Sequence, residues 1–350
     1  MRILVTGAAG FIGSHFVRHI LAHHTDDEVL NLDALTYAGN LANLADLPEE
    51  QARRYRFVKG DVTDDALVAQ LVDQAEAVVH FAAQTHVDRS IDDPQAFMRT
   101  NLWGAQTLLE AARRAWSGRQ DRRLVLVSTD EVYGALELDD PRRFDEDWPL
   151  APRSPYSASK AAADHLALAY YHTYGLPVMI TRSCNNYGPN QFPEKLIPLM
   201  ILNALAGREL PLYGDGRHVR DWIHVSDNCR AHDLVLRGGA PGRVYNVGAD
   251  SQRSNLEVVR LVLALVAERA GRPPQEMMGL IKHVNDRPGH DRRYALDTSR
   301  LVQELGFAPR VNFKDGLADT IGWYVDNPEW CRAVTSGAYR EYYQKMYDGR

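Results

Sequence analysis

The sequence is poor in cysteine: Cys184, Cys229 and Cys331 are the only three in 350 residues. They are too few for a disulfide framework, and none lies in a CxxC or Cys/His metal spacing, so no metal site is expected. That scarcity predicts a reducing, cytoplasmic setting. Long hydrophobic runs are also missing. The opening MRILVTGAAGFIG is short, broken by glycine and without a small-residue cleavage site. No stretch approaches the roughly 18 apolar residues of a membrane span, which predicts a soluble, unprocessed protein with no membrane partner. Positive charge is not in excess either. A net charge of −6 gives no electrostatic case for nucleic acid or an anionic membrane. The basic block at 113–123 reads as a solvated helix end and loop. Repeats and low-complexity tracts are absent, leaving a globular chain long enough for more than one typical domain.

What is present begins with alternation. Apolar runs at 2–7, 28–33, 56–61, 77–83, 123–129 and 177–182 read as strands, and 11–24, 94–115 and 154–174 carry helical spacing. Near-continuous apolar strands separated by helices predict a parallel sheet covered on both faces. Gly7, Gly10 and Gly13 follow the first strand and open the first helix, the context in which a pyrophosphate is closely approached. Asp33 ends the second strand, where a carboxylate can bind a ribose hydroxyl pair. Ala34 follows it, with no arginine nearby for a 2′-phosphate, which favours NAD over NADP. Asp61, ending the third strand, can meet the adenine side. The fold expected is therefore α/β, a Rossmann-type doubly wound parallel sheet over 1–182. After 182 the rhythm loosens and proline and glycine rise, so 183–350 is expected to form a smaller mixed α/β domain that binds substrate. Part of 218–245 can return to the sheet.

In an open parallel sheet, ligands sit at the carboxyl ends of the strands. STDEVYG (128–134) stands there, with Asp130 and Glu131 adjacent, as do FAAQTHVDRS (81–90) and RSCNNYGP (182–189). Tyr156 and Lys160 fall one helical turn apart on one face. A phenol titrates near pH 10, too high for a base at neutral pH, and a neighbouring ammonium lowers it. By itself YxxxK is a chance pattern, but after a glycine-rich cofactor fingerprint it is informative. His23 and His24 are expected to be solvated at a helix end. His86 and Cys184 are expected to pack near the site without a chemical role.

From end to end the chain resembles the nucleotide-sugar 4,6-dehydratases, a branch of the extended short-chain dehydrogenase/reductases. The strings that carry the likeness are ILVTGAAGFIGSH, LDALTYAGNLANL, HVDRSI, STDEVYG, SPYSASKAAAD, NNYGPNQFPEKLIP, LPLYGDGRHVRDWIHV and NDRPGHDRRYALD. The resemblance implies an NAD-dependent lyase of deoxysugar biosynthesis. Tyr156 would take the proton of the sugar C4 hydroxyl beside Lys160, and Thr129 would bind the C4 oxygen. Glu131 would be the base at C5, and Asp130 the acid for the departing C6 hydroxyl. It further implies cofactor contacts at Gly7, Gly10, Phe11, Ile12, Gly13, Asp33, Thr36, Asp61, Val62, Ala82, Ala83, Thr100, Tyr156, Lys160 and Asn186. Substrate contacts are implied at Thr85, Thr129, Asn185, Lys195, Leu196, Pro211, Tyr213, Arg220, Asn255, Arg287 and His290. Arg220 and Arg287 suit a diphosphate, and Tyr213 a stacking face for the base. Family members usually dimerise, and the helices near 94–115 and 154–174 are the candidates here.

Departures from the family pattern bear on the nucleotide. AAQT at 82–85 and Asn190 stand where many bacterial members have AAES and tyrosine, and both variants occur in UDP-glucose enzymes. The LPLYGDGRHVRDW and DRPGHDRRY stretches favour dTDP-glucose as the substrate, with UDP-glucose the alternative. Two other readings remain: a nucleotide-sugar 4-epimerase, which shares Tyr156 and Lys160 but does not need Glu131, and a catalytically silent NAD-binding regulator.

Overall fold

In the computed structural model, which describes residues 1–119, 121–337, 339, 343 and 344, the apolar runs of the first half become strands. They are β1 (Arg2–Thr6), β2 (Glu28–Asp33), β3 (Tyr55–Lys59), β4 (Ala77–His80), β5 (Arg123–Thr129) and β6 (Val178–Ser183). All pair in parallel, in the order β3-β2-β1-β4-β5-β6. The later strands are β7 (Asn185–Tyr187), β8 (Leu210–Tyr213), β9 (Val219–His224), β10 (Val244–Val247), β11 (Gln252–Ser254) and β12 (Ile281–Val284). Of these, β10 joins the main sheet, parallel to β6, as its seventh strand. The rest form a three-stranded sheet, β11-β9-β7, and the pair β12-β8.

Alternation along each strand divides the core. Ile3, Val5, Val79, Val125 and Val127 face one side, packing with Phe16, Val17 and Ile20 of the helix Phe11–His23 and Val235 and Leu236 of the helix Val225–Gly238. Leu4, Val78, Leu124, Leu126 and Ile180 face the other, against Leu71, Leu108, Leu109 and Ala167 from three further helices. Because both faces are covered, the strands can be apolar throughout. A third cluster, including Leu199, Leu210, Trp222, Val258, Val262 and Leu317, forms the core of the C-terminal part.

Three local features place the site. The fourth strand ends at His80 rather than 83, so Phe81–His86 leaves the sheet at its carboxyl edge. The region 94–115 is not one regular helix: Met98–Trp103 winds as a π-helical turn before the helix Gly104–Ala115. Such turns commonly mark functional positions. The helix Pro155–Tyr174 is delimited by sequence. Ser154 and Ser157 form a reciprocal capping box, Pro155 opens the first turn, and Gly175 closes it at φ 67°. Among the described residues, no helix is long and apolar enough to cross a membrane.

Candidate active site

Strand order reverses between β1 and β4, and a cleft opens there at the carboxyl ends of the strands. Its cofactor end is built largely from backbone. Gly7 has φ 73°, and a Cβ on it would lie 2.6 Å from the amide nitrogen of Ala82. On Gly13 a Cβ would lie 2.4 Å from the Gly7 carbonyl oxygen. These glycines let the first helix approach the sheet closely. Its N-cap, Gly10, makes no side-chain capping bond, so first-turn amides are left for an anion. The buried Asp33 carboxylate accepts from Ala9 N at 2.9 Å and Leu35 N at 2.8 Å. Burial raises its pKa and those two amides oppose the rise.

Phe11, Ile12, Thr36, Asp61, Val62, Ala82, Ala83, Thr100 and Asn186 also line the cleft. The Asp61 carboxylate accepts from the amide and hydroxyl of Thr63. Asn186 donates to the Cys184 carbonyl at 3.0 Å, while its buried Oδ1 has no partner in the protein. An orphaned acceptor here fits a carboxamide donor, and the capless helix fits a pyrophosphate. Among the described residues the cations lining the cleft are Lys160 and Lys195, bonded to the carbonyls of Val127 and Thr85. Neither is bonded at Asp33. The cleft fits NAD.

The residues expected to react converge where β5 ends. Asp130 and Glu131 open a 3₁₀ turn directly after Thr129. Asp130 is 1% exposed, its Oδ1 accepts from the Thr129 hydroxyl at 3.3 Å, and its Oδ2 has no partner. Burial, reinforced by the neighbouring Glu131, holds the Asp130 carboxyl well above the usual carboxylate range. Burial also raises Glu131, but Arg287, Lys195 and Arg220 pull it back down. Burial thus raises both adjacent acids, but Glu131 adds to the rise at Asp130 whereas three cations oppose it at Glu131.

Tyr156 and Lys160 project from the first turns of their helix. The Lys160 Nζ donates to the Val127 carbonyl at 2.6 Å, and burial lowers its pKa to about 8 against the opposing Asp164 carboxylate. Burial, with the Glu131 charge, pushes the Tyr156 phenol up, and a hydrogen bond with Thr129 opposes this. The Thr129 hydroxyl therefore touches both Tyr156 and Asp130.

Of the expected substrate residues, Thr85, Asn185, Lys195 and Leu196 line the same cleft. Pro211, Tyr213, Arg220, Asn255, Arg287 and His290 do not line it, although the charges of Arg220 and Arg287 act on Glu131. Arg220 is held by the carbonyls of Val219 and Asp291, with its guanidinium 4.1 Å from the ring centre of Tyr294. The buried Nε of Arg287 has no protein partner. His290 stacks on His218 at 3.7 Å and meets the Tyr213 ring edge-on. Pro211 and Tyr213 lie on β8, and Asn255 starts the helix Asn255–Arg269.

One expectation, for His24, needs correcting. His24 is not free in solvent; its Nε2 lies 2.8 Å from Asp233 Oδ2, whereas His23 is exposed at the helix end. Cys184 lines the cleft, but burial, with Asp221 and Asp130, keeps its thiol protonated. His86 is buried, with Nε2 at 3.4 Å from the Glu194 carbonyl oxygen. Residues the sequence reasoning missed include Gln191, Phe192 and Glu194, which line the cleft, and Asn101 in the π-helical turn. Asn101 bonds both Gln84 and Ser159, joining the turn to the Tyr156 helix. Glu194 lay in plain view beside Lys195 in FPEKLIP; nothing local distinguished it.

Comparison with known proteins agrees with this geometry. The family description GDP-mannose 4,6 dehydratase matches residues 4–320. A dTDP-glucose 4,6-dehydratase of Xanthomonas campestris is 52% identical, over 96% of this chain and 97% of its own. One from Streptomyces niveus is 50% identical, over 96% of each. The crystal structure of DesIV, a dTDP-glucose 4,6-dehydratase of Streptomyces venezuelae with NAD and dTDP bound, is similar at a TM-score of 0.86 and 49% identity. That match covers 95% of this chain and 100% of DesIV.

Proposed function

Because the chain belongs to the GDP-mannose 4,6 dehydratase family, we propose that it is an NAD-dependent lyase converting dTDP-glucose to dTDP-4-keto-6-deoxy-glucose. The observation that carries this is the acid pair. Removing water across two carbons needs a base at one and an acid at the other, and Glu131 and Asp130 stand in fields that separate those roles. An epimerase has no task for a buried neutral carboxyl at this position.

When bound, NAD supplies the hydride acceptor at C4 and the hydride donor at C6. We assign Tyr156 as the group that takes the C4 hydroxyl proton, with the Lys160 ammonium stabilising the phenolate. The 4-keto group then acidifies C5–H, Glu131 takes that proton, and Asp130 protonates the leaving C6 hydroxyl as water. After hydride reaches C6, Glu131 returns its proton to C5. Tyr156 is then left with one proton too many and Asp130 with one too few. The Thr129 hydroxyl, bonded to both, offers the path that resets them.

At the nucleotide end, Arg220 and Arg287 suit the diphosphate and Tyr213 the base, with Thr85, Asn185, Lys195, Leu196, Pro211, Asn255 and His290 completing the substrate contacts. We assign sugar binding mainly to 183–350, apart from the helix Val225–Gly238 and β10, which pack on or in the parallel sheet. Three buried free cysteines support a reducing, cytoplasmic setting. A homodimer is supported by Trp103 and Tyr174, 59% and 56% exposed beside the helices 104–115 and 155–174. The test is to incubate the purified protein with dTDP-glucose and UDP-glucose separately and weigh the products. Loss of one water from the dTDP sugar is expected; an unchanged mass with inverted C4 would overturn the assignment.

A further inference from the structure

Hydride is withdrawn from C4 and later returned at C6, so the cofactor must outlast the elimination between them. The two walls of the cleft are tied together by residues that the chemistry above does not use. On one wall, the loop after Asp33 carries Tyr37, flanked by the cleft-lining Thr36 and Ala38. On the other, the segment 188–195 carries Glu194, which also lines the cleft. The Tyr37 hydroxyl donates to Glu194 Oε1 at 2.8 Å. Arg89, from the helix Val87–Asp92, donates to Glu194 Oε2 at 3.0 Å and lies 4.0 Å from the centre of the Tyr37 ring. The Glu194 side chain is 2% exposed, so three segments distant in sequence close a triangle around one buried carboxylate. Phe192 meets the Tyr37 ring edge-on at 5.5 Å, and His15 holds the Pro189 carbonyl oxygen at 2.9 Å, extending the same seam.

We propose that Tyr37, Glu194 and Arg89 form a latch that holds the cofactor cleft closed through the whole catalytic cycle, making them positioning residues for hydride return. The chemistry favours this role over a passive surface contact. A buried carboxylate bonded to a phenol and a guanidinium is stable only while all three are together. Moving the Tyr37 loop away from the 188–195 segment breaks the phenol's bond to Glu194 and opens a buried carboxylate toward solvent. The Asp33 carboxylate also connects latch to ligand. It bonds Leu35, whose φ is 52°, and so shapes the turn that presents Tyr37.

The inference rests on the NAD-dependent reading, and its test separates the two. Tyr37→Phe removes one hydrogen bond to a charged partner and keeps the ring on Arg89 and Phe192. The rate at which bound NAD leaves the protein, followed without substrate by filtration and absorbance of the filtrate, is expected to rise roughly ten- to a hundredfold. With substrate present, free NADH is expected in the filtrate, one per sugar left oxidised at C4 and unreduced at C6. Glu194→Gln keeps an oxygen for Tyr37 but removes the anion and turns its NH2 toward the Arg89 guanidinium, so its release rate should rise at least as much as that of Tyr37→Phe. A Tyr37→Phe variant that releases NAD at the wild-type rate would overturn the latch. Failure of the wild-type protein to dehydrate any nucleotide sugar would instead overturn the reading beneath it.

Discussion

At the cofactor end of the cleft, Gly7, Gly13, Ala82 and Ala83 present backbone and small side chains, and Asp33 is fixed by two amides. At the substrate end, Lys195, Arg220, Arg287 and His290 present long or charged side chains drawn from separated segments. The first end is rigid because its shape follows from strand–turn–helix geometry. The second is electrostatic, and its cations oppose the rise that burial imposes on Glu131, whereas Asp130, one residue away, is raised further by Glu131. In the proposed mechanism, catalysis sits where a rigid half meets a charged half, so each half can be weakened without the other.

The largest effect should come from the residue at the junction. Glu131→Gln is expected to cut product formation by about a hundred- to ten-thousandfold, while substrate still reduces bound NAD. Stopped-flow absorbance of the nicotinamide checks this, and near-normal turnover would remove Glu131 from the mechanism. Next comes pH. Lys160 must keep its proton, so kcat/KM should fall about tenfold per unit above pH 8 or so. Glu131 must lose its proton, and its raised pKa places an acid limb above the usual carboxylate range. A profile flat through pH 9 would break the assignment of Lys160 as the charged partner of Tyr156.

Two smaller effects sharpen the contrast itself. Asp33→Asn removes the charge while keeping the shape, and NAD affinity is expected to drop about tenfold with little change in sugar KM. Titration calorimetry and steady-state kinetics together read both. Arg287→Lys keeps the charge but loses the planar fork, so KM for the nucleotide sugar should rise a few-fold while bound NAD stays constant. If either variant moved both constants equally, the two ends would be acting as one.

The same contrast governs what the sequence made legible. Gly7, Gly10, Gly13 and Asp33 lie within one strand–helix–strand unit, so spacing together with that context brought them to the cleft. Tyr156 and Lys160 share one helix, and their pairing followed from its period. The π-helical turn at Met98–Trp103 was hidden because its side chains keep a helical pattern while the backbone takes an extra residue. Arg220 and Arg287 stand far apart in the chain, and only resemblance, not local pattern, singled them out. His24 misled for a similar reason: its partner, Asp233, comes from a helix about two hundred residues away.

The seventh strand has a consequence for how the protein can be divided. Val244–Val247 pairs with Ile180–Ser183, so the parallel sheet is finished only after most of the chain has been made. A fragment ending near residue 182 would leave β6 as a bare, apolar edge, open to pairing with another copy of itself. Folding of the nucleotide-binding layer is therefore coupled to synthesis of the second half. Swapping sugar-binding modules between relatives would have to carry the return strand and its helix along, or trade specificity for aggregation.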